Sequence, residues 1–228
     1  MRGDWDRRAR ENARYYVATG QRQWSDEEFF HSGETTVDQH IRNDLENIGQ
    51  GRDPGQMSVL EIGCGAGRVT RALARLFGRV YAVDISREMV RQARRALRDF
   101  PNARVFRNNG KDLSAVRERW WHRAGLGRPV EVDFAFSCIV FQHIPSREII
   151  ENYVREVNRL LRLGGLFKFQ VQGSSLVEAK PGDSWVGASF TEDDAREMAA
   201  RCGFEMRHDH GREEQDYWLW FFKVRDVC

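Results

Sequence analysis

The spacing of hydrophobic positions changes near residue 56 of the chain. In residues 4–18 and again in residues 34–48, apolar side chains recur at the three- and four-residue spacing of an amphipathic helix. A glycine-rich stretch with one proline, residues 49–56, follows and is typical of a linker. We therefore predict a small helical lobe over residues 1–55 and a separate domain over residues 56–228.

Beyond the linker, short apolar runs alternate with segments of helical period. The runs predict strands at 57–62, 79–84, 103–108, 132–137, 166–172, 204–210 and 216–224. The periodic segments predict helices at 66–77, from 86 onward, at 146–162 and at 192–202. Such alternation predicts an α/β fold with a seven-stranded, mainly parallel sheet and helices on both faces. The last two strands are joined by a turn too short for a crossover helix, so we expect them to form an antiparallel hairpin.

One segment fits neither pattern. Residues 114–131 are long for a loop and contain Trp120 and Trp121. They could form a short helix on the sheet edge or a contact between subunits, and the sequence does not choose between these readings.

Composition excludes several classes of protein. With 41% hydrophobic residues, the 228-residue chain can build a substantial core. No stretch approaches the roughly 18 consecutive apolar residues of a membrane span. The first residues are charged and no apolar run follows them, so we expect neither a signal peptide nor a membrane partner. The cytoplasm is the expected location.

The charge pattern argues against a nucleic-acid partner. The formal net charge is only +2, and nearly all the basic residues are arginines interleaved with acidic residues. A nucleic-acid interface is typically a concentrated basic stripe. We attribute the many arginines to compositional bias.

The cysteines do not predict a metal site. They stand at positions 64, 138, 202 and 228, form no Cys-x-x-Cys pair, and do not cluster with histidines at zinc-binding spacing. We expect reduced thiols and no metal ion.

A glycine-rich turn follows the first predicted strand. In VLEIGCGAG, Gly63, Gly65 and Gly67 connect that strand to a helix, and Asp84 ends the second strand. Glycine lets a backbone turn tightly and approach a ligand closely. Strand, glycine turn and helix form a nucleotide-binding arrangement. A dinucleotide fingerprint would need a third glycine where Arg68 stands, which argues against a dehydrogenase.

S-adenosylmethionine fits the turn better, because it has ribose hydroxyls but no phosphate. Glu61, two residues before the first glycine, suits its cationic sulfonium and its amino group. The stretches VLEIGCGAG, VYAVDIS and NNGKDL and the terminal hairpin together resemble class I S-adenosylmethionine-dependent methyltransferases over about residues 57–223. The resemblance implies a Rossmann-like fold, methyltransferase activity, S-adenosylmethionine as cofactor and S-adenosylhomocysteine (SAH) as product.

The resemblance also implies a set of cofactor-binding positions. They are Glu61, Gly63, Cys64, Gly65, Gly67, Asp84, Ile85, Met89, Asn109, Gly110, Asp112, Leu113, Ser137, Cys138 and Ile139. Asp84 would accept hydrogen bonds from both ribose hydroxyls, and Ile85 would lie near the adenine. Met89 is equally placed to be a core residue. Asp112 could contact the adenine amine or could cap the segment that follows it.

Two absences favour a small-molecule acceptor. The chain lacks the Asn-Pro-Pro-Tyr type of motif found in methyltransferases that act on nucleic-acid amino groups, and it has no basic stripe. Phe141 and Gln142 follow the fourth strand and would face the substrate. Tyr16 and Trp24, in the aromatic N-terminal segment, could line the acceptor pocket or form the lobe's own core.

An oxygen acceptor must lose a proton, and histidine suits that task. His143 is our first candidate base because it follows strand four, although it could instead cap the strand or support the cofactor. His31 is the second candidate, and it could equally be a surface residue. The sequence thus predicts methyl transfer to a small molecule, with oxygen favoured, by a monomer or homodimer. The alternative is a non-catalytic S-adenosylmethionine-binding regulatory or scaffold protein.

Overall fold

The computed structural model describes residues 1–118, 128–173 and 187–227. Its helices are α1 Arg2–Val17, α2 Asp26–His40, α3 Leu45–Gly49, α4 Arg68–Leu76, α5 Arg87–Ala96, α6 Arg147–Leu160 and α7 Glu192–Arg201. Its strands are β1 Ser58–Ile62, β2 Arg79–Asp84, β3 Ala103–Arg107, β4 Arg117–Glu118, β5 Arg128–Pro129, β6 Val132–Ser137, β7 Leu161–Val171, β8 Phe204–His210 and β9 Tyr217–Lys223.

Seven strands form one sheet in the order β3-β2-β1-β6-β7-β9-β8. The pairs β1–β2, β2–β3 and β6–β7 are parallel, whereas β9 runs antiparallel to both β7 and β8. The predicted α/β fold, with its mainly parallel sheet and C-terminal antiparallel hairpin, is therefore confirmed. The short strands β4 and β5 pair separately.

The chain divides into two compact units, Met1–Gly110 and Lys111–Cys228. In the first unit, α1 packs against α5 and α2 packs against α4. The helices of the N-terminal segment thus share a unit with the first half of the sheet. The predicted domain boundary at residues 55 and 56 stays a prediction.

The N-terminal segment departs from its predicted helices. The second helix was expected at 34–48, but α2 begins at Asp26 and ends at His40. Ser25 explains the early start, because its hydroxyl accepts a hydrogen bond from the Glu28 N–H while the Glu28 carboxylate bonds back to the Ser25 N–H. In α1, Asn12 has a non-helical backbone that kinks the helix.

A glycine allows α2 and α4 to touch. A Cβ at Gly33 would lie only 2.2 Å from the carbonyl oxygen of Arg68. The buried Arg68 guanidinium crosses the same contact and donates to the Ser32 carbonyl (2.8 Å) and the Thr36 hydroxyl (2.9 Å). The arginine that stands where a dinucleotide motif would have glycine therefore joins the two helices.

In the second unit, an aromatic cluster fills one face of the sheet. Phe141, Phe167 and Phe169 pack together with centroid distances of 4.2 to 6.1 Å, and Tyr153 of α6 contacts Phe141. Large aromatic side chains supply much of the apolar burial in such cores.

The α6–β7 junction differs from its prediction. The helix was expected to run to residue 162 and stop at Gly164–Gly165, with a strand from 166, but β7 begins at Leu161 and contains both glycines. Gly164 has a φ of +74°, and the β6–β7 register shifts between Val132 and Phe134. The glycines therefore form an irregularity within a strand, a common role for glycine in sheets.

Trp120 and Trp121 lie outside the described residues, so the alternatives for that segment stay open. Nearby, Arg117–Glu118 and Arg128–Pro129 form the β4–β5 pair. Among the helices that the structure describes, none has the length and apolar character needed to cross a bilayer.

Candidate functional site

The glycine turn after β1 has a backbone that needs glycine. Gly63, Gly65 and Gly67 have φ values of +78°, +52° and +88°. Residues with a Cβ rarely adopt this region of backbone conformation. The N–H groups of Gly63 and Cys64 both donate to the Val83 carbonyl, at 2.8 and 3.0 Å. These bonds hold the turn against the end of β2.

The carboxylate of Asp84 lies at the centre of this arrangement. The Gly65 N–H donates to its Oδ2 (2.9 Å) and the Ser86 N–H donates to its Oδ1 (2.8 Å). Its side chain remains partly exposed at the end of β2. Burial raises the pKa of Asp84 to about 6, the two N–H donors oppose that rise, and the charge of Asp6 adds to it. Asp84 is thus largely ionised at neutral pH.

Glu61 is a second carboxyl group beside the turn, and it is only 4% exposed. Burial raises its pKa to about 7, while Thr70 and Arg68 lower it and Asp84 raises it further. Within the described residues, its Oε2 has no hydrogen-bond partner. A buried carboxyl oxygen of this kind is costly unless a ligand or proton satisfies it.

The ends of β2 and β3 also approach closely. The Asn108 N–H donates to the Asp84 carbonyl (3.1 Å), and a Cβ at Gly110 would lie 2.6 Å from Cδ1 of Ile85. Gly110 has a φ of +79°. Asn109 accepts a hydrogen bond at its carbonyl from Arg2 of α1 (2.8 Å). In the first unit, the predicted cofactor residues therefore converge on the carboxyl ends of β1, β2 and β3, where α/β sheets bind ligands.

In the second unit, the segment after β6 is strained. Ser137 is buried at the end of the strand, Cys138 is partly exposed, and Ile139 has a φ of +57° with 44% of its side chain exposed. Positive φ is unfavourable for a β-branched residue. The Ile139 N–H donates to Oε1 of Gln170 (3.0 Å), which holds this conformation.

A buried amide network supports that segment, and the sequence analysis missed it. Gln170 is only 1% exposed, and its Nε2 donates to Oε1 of Gln142 (2.6 Å) and to Oδ1 of Asp216. Asp216 directly precedes β9, whose first residue pairs with Val171 at the end of β7. The sequence signal was a polar residue, Gln170, between Phe169 and Val171 in the strand.

Residues 59–165 match the family model described as Methyltransferase domain. These residues form a methyltransferase domain. The family resemblance and the methyltransferase assignment made from the sequence are therefore confirmed. No curated protein matches the chain.

Several solved structures share the fold. The magnesium protoporphyrin IX methyltransferase of Synechocystis, solved with bound SAH, has 17% identity and a TM-score of 0.67, with 98% of each chain covered. A DhpI–SAH complex has 19% identity and a TM-score of 0.61, covering 97% of this chain and 94% of that one. An S-adenosylmethionine-dependent methyltransferase from Clostridium acetobutylicum has 13% identity and a TM-score of 0.63, covering 97% and 100%. The cofactor expected from the sequence is thus of the kind bound in such structures.

Met89, one of the predicted cofactor residues, is deeply buried. Met89 packs in a cluster with Ala9, Ala13, Phe29 and Ala66, which favours its core role. Its contact with adenine stays a prediction.

The thiol of Cys64 is buried among apolar side chains that include Ala82 and Val90. Burial raises its pKa well above the usual range, so Cys64 is an unreactive thiol. A contact between this residue and the cofactor stays a prediction, and it would have to involve the backbone.

The side chain of Asp112 bonds Ser114 in the turn that follows it. Its Oδ1 accepts hydrogen bonds from the Ser114 N–H (3.0 Å) and the Ser114 hydroxyl (2.6 Å). The neighbouring Leu113 is buried, and its N–H donates to Glu156 of α6 (3.4 Å). Contacts of Asp112 and Leu113 with an adenine ring stay predictions.

The candidate bases and Phe141 have contrasting surroundings. His143 is buried and ends the short 3-10 helix Phe141–His143, with its N–H bonded to the Val140 carbonyl. His31 is exposed on α2, as its surface alternative requires. Phe141 is fully buried in the aromatic cluster, which favours a packing role.

The two aromatic candidates in the N-terminal segment make contacts within that segment. The indole N–H of Trp24 donates to the Ala18 carbonyl (3.0 Å), and its ring meets Phe29 edge-on. The Tyr16 hydroxyl donates to Glu11 (3.0 Å). Both remain partly exposed, so an acceptor contact stays a prediction.

No metal centre accompanies these residues in the part of the chain that the structure describes. There, no group of three or more histidine, cysteine, aspartate and glutamate side chains could hold a metal ion.

Proposed function

We propose that this protein binds S-adenosylmethionine and transfers its methyl group to a hydroxyl oxygen of a small molecule, releasing SAH. The observation that carries the proposal is the Asp84 carboxylate, fixed by the Gly65 and Ser86 N–H groups at the end of β2 and still partly exposed. It lies beside a glycine turn in a methyltransferase domain.

The residues around Asp84 suit the chemistry of this cofactor. Each carboxylate oxygen of Asp84 accepts one backbone hydrogen bond and has lone-pair capacity for a ribose hydroxyl. The Oε2 of Glu61 has no hydrogen-bond partner in the described residues and can receive an ammonium donor or a bridging water. Gly110 and Ile85 supply the close approach and apolar surface that a flat ring requires.

When bound, S-adenosylmethionine supplies a methyl group on a positively charged sulfur. The protein's task is then to orient the two reactants and to exclude water. Asp84 and the glycine turn would fix the ribose end. The amide network of Gln170 and Gln142 would hold the backbone that follows β6 in a single conformation.

Removal of the acceptor proton is assigned to His143 in this proposal. It follows β6, and its backbone is fixed by the bond to Val140. His31 remains the second candidate. Tyr16, Trp24, Phe141 and Gln142 stay the predicted acceptor contacts.

The remaining predictions about partners and location are part of the proposal. We expect a small-molecule partner and neither nucleic acid nor membrane, a monomer or homodimer, and a cytoplasmic location. Retention on nucleic acid that weakens steeply with salt would contradict this choice of partner.

Calorimetric titration with S-adenosylmethionine, SAH and NAD tests the cofactor assignment. We expect both sulfur ligands to bind and NAD not to bind. Because Asp84→Asn removes charge from two hydrogen bonds, SAH affinity should fall about 100-fold. Asp99→Asn, at an exposed residue paired with Arg98, is the matched control and should bind normally. NAD binding, or normal SAH affinity in Asp84→Asn, would contradict the assignment.

A screen of hydroxyl compounds for SAH release then separates an enzyme from a non-catalytic binding protein. SAH formation that requires one particular compound and is slower in His143→Gln supports an enzyme with His143 as its base. Tight SAH binding, with no SAH formed from S-adenosylmethionine in the presence of any compound, favours the regulatory or scaffold alternative.

A further inference from the structure

Helix α1 contacts both residues whose backbone N–H groups bond the Asp84 carboxylate. The carboxylate depends on the N–H groups of Gly65 and Ser86. Asp6, in the first half of α1, bonds the side chain of Ser86, and Val17, at its end, lies against Gly65. The N-terminal helix is therefore built into the support of the ribose-binding carboxylate, although 78 residues separate Asp6 from Asp84.

The Asp6 contact is the more specific of the two. Its Oδ1 accepts a hydrogen bond from the Ser86 hydroxyl (2.6 Å) and one from the Glu88 N–H (3.3 Å). Ser86 is fully buried, and its hydroxyl also accepts a bond from the Met89 N–H (3.2 Å) as the N-cap of α5. With its hydroxyl bonded on both sides, Ser86 has a fixed backbone, and its N–H stays directed at Asp84.

Further contacts hold α1 in this place. A Cβ at Gly65 would lie 2.6 Å from Cγ2 of Val17, so the helix end fills the space above the glycine turn. Gln92 of α5 donates to the Ala9 carbonyl (3.4 Å). A helix with these contacts is held by more than one bond, so removing the Asp6 carboxyl should perturb Ser86 without releasing α1.

Asp6 also acts on Asp84 through its charge. Burial raises the pKa of Asp6, but the hydrogen bonds from Ser86 and Glu88 and the charge of Arg10 bring it below the usual range, so the group is ionised. The ionisable groups that interact with Asp84 are Asp6 from α1, Glu61 from β1 and Cys64 from the turn. Removing the negative charge of Asp6 would lower the pKa of Asp84.

We propose that Asp6 is a positioning residue for cofactor binding, which acts through Ser86 to fix the Asp84 carboxylate that receives the ribose hydroxyls. The inference rests on the proposed function, because it requires that Asp84 bind the ribose. It predicts that α1 contributes to cofactor affinity through a defined hydrogen bond and a defined charge.

The test is calorimetric titration of the full chain with SAH from pH 5 to pH 8. In the wild type, affinity should fall about tenfold between pH 7 and pH 5, because protonated Asp84 loses one acceptor function. Asp6→Ala should weaken binding about tenfold at pH 8, the size of one hydrogen bond to a charged group. Asp6→Asn keeps an acceptor oxygen, so it should bind nearly normally at pH 8 and retain its affinity to a lower pH.

The control is Asp4→Asn on the same helix, because Asp4 bonds the N-terminal amine and Arg7 instead. It should change neither the affinity nor its pH dependence. A merely structural role for Asp6 would lower the melting temperature without moving the acid midpoint of SAH binding. Weaker SAH binding by Asp6→Ala than by Asp6→Asn at pH 8 tests the hydrogen bond to Ser86. The midpoint shift in Asp6→Asn tests the charge and remains measurable even if Asp6→Ala fails to fold.

Two negative results are distinguishable. If the wild type does not bind SAH at all, the proposed function fails and the role of Asp6 fails with it. If the wild type binds SAH but Asp6→Ala binds it as tightly as Asp6→Asn at pH 8, or Asp6→Asn keeps the wild-type acid midpoint, only the inference about Asp6 is overturned.

Discussion

Replacing Glu61 with glutamine should stabilise the ligand-free protein at pH 8 much more than at pH 5. The pKa of this buried carboxyl rises from 4.5 to about 7, so the folded state binds its proton more tightly than the unfolded chain does. Its contribution to stability is therefore present at low pH and is lost as the pH rises through about 7. Full ionisation of Glu61 lowers the free energy of unfolding by about 3 kcal/mol. About 2 kcal/mol of this loss should develop between pH 5 and pH 8.

Urea denaturation of wild type and Glu61→Gln at pH 5 and pH 8 measures this difference. Other titrating groups are common to both proteins, so their effects cancel in the comparison. Glu213→Gln, at an exposed residue in the turn before β9, is the control and should give the same small change at both pH values. A Glu61→Gln effect that is equal at the two pH values would refute the buried-carboxylate reasoning.

Two further predictions concern a close contact between helices and a strained backbone conformation. Gly33→Ala should destabilise the protein by about 1–3 kcal/mol in thermal unfolding, because the new Cβ would lie 2.2 Å from a carbonyl oxygen of α4. Gly3→Ala in α1, where the space is open, should be neutral or stabilising, and equal effects at both sites would contradict the contact. Ile139→Gly should stabilise the protein by up to about 1 kcal/mol, because glycine adopts a positive φ without the steric cost of a Cβ. Ile139→Ala keeps a Cβ and should not stabilise the protein.

Most strands of the sheet were predictable because they are apolar runs. The strands at 79–84, 132–137 and 204–210 have the bounds that the sequence predicts. The α6–β7 junction was not predictable from local signals. Gly164 and Gly165 resemble a helix stop, but Leu161 and Leu166 on either side of them pair with β6, which places the glycines inside a strand.

The start of α2 could have been predicted. Ser25 and Glu28 have the spacing of a capping box, which marks the start of a helix. In the site, the glycine turn and Asp84 were predictable because they are local to two strand ends. The hydrogen bond between Ser86 and Asp6 and the network around Gln170 join residues far apart in sequence. No pattern of local spacing predicts such contacts.

The position of β9 in the sheet has a consequence for biosynthesis. β9 lies between β7 and β8, although both of those strands precede it in the chain. While the protein is being made, the facing edges of β7 and β8 are complete before the strand that will separate them exists. Unpaired strand edges are sites of aggregation. The nascent second unit must therefore remain open, or be shielded by a chaperone, until residues 217–223 have been synthesised and can insert.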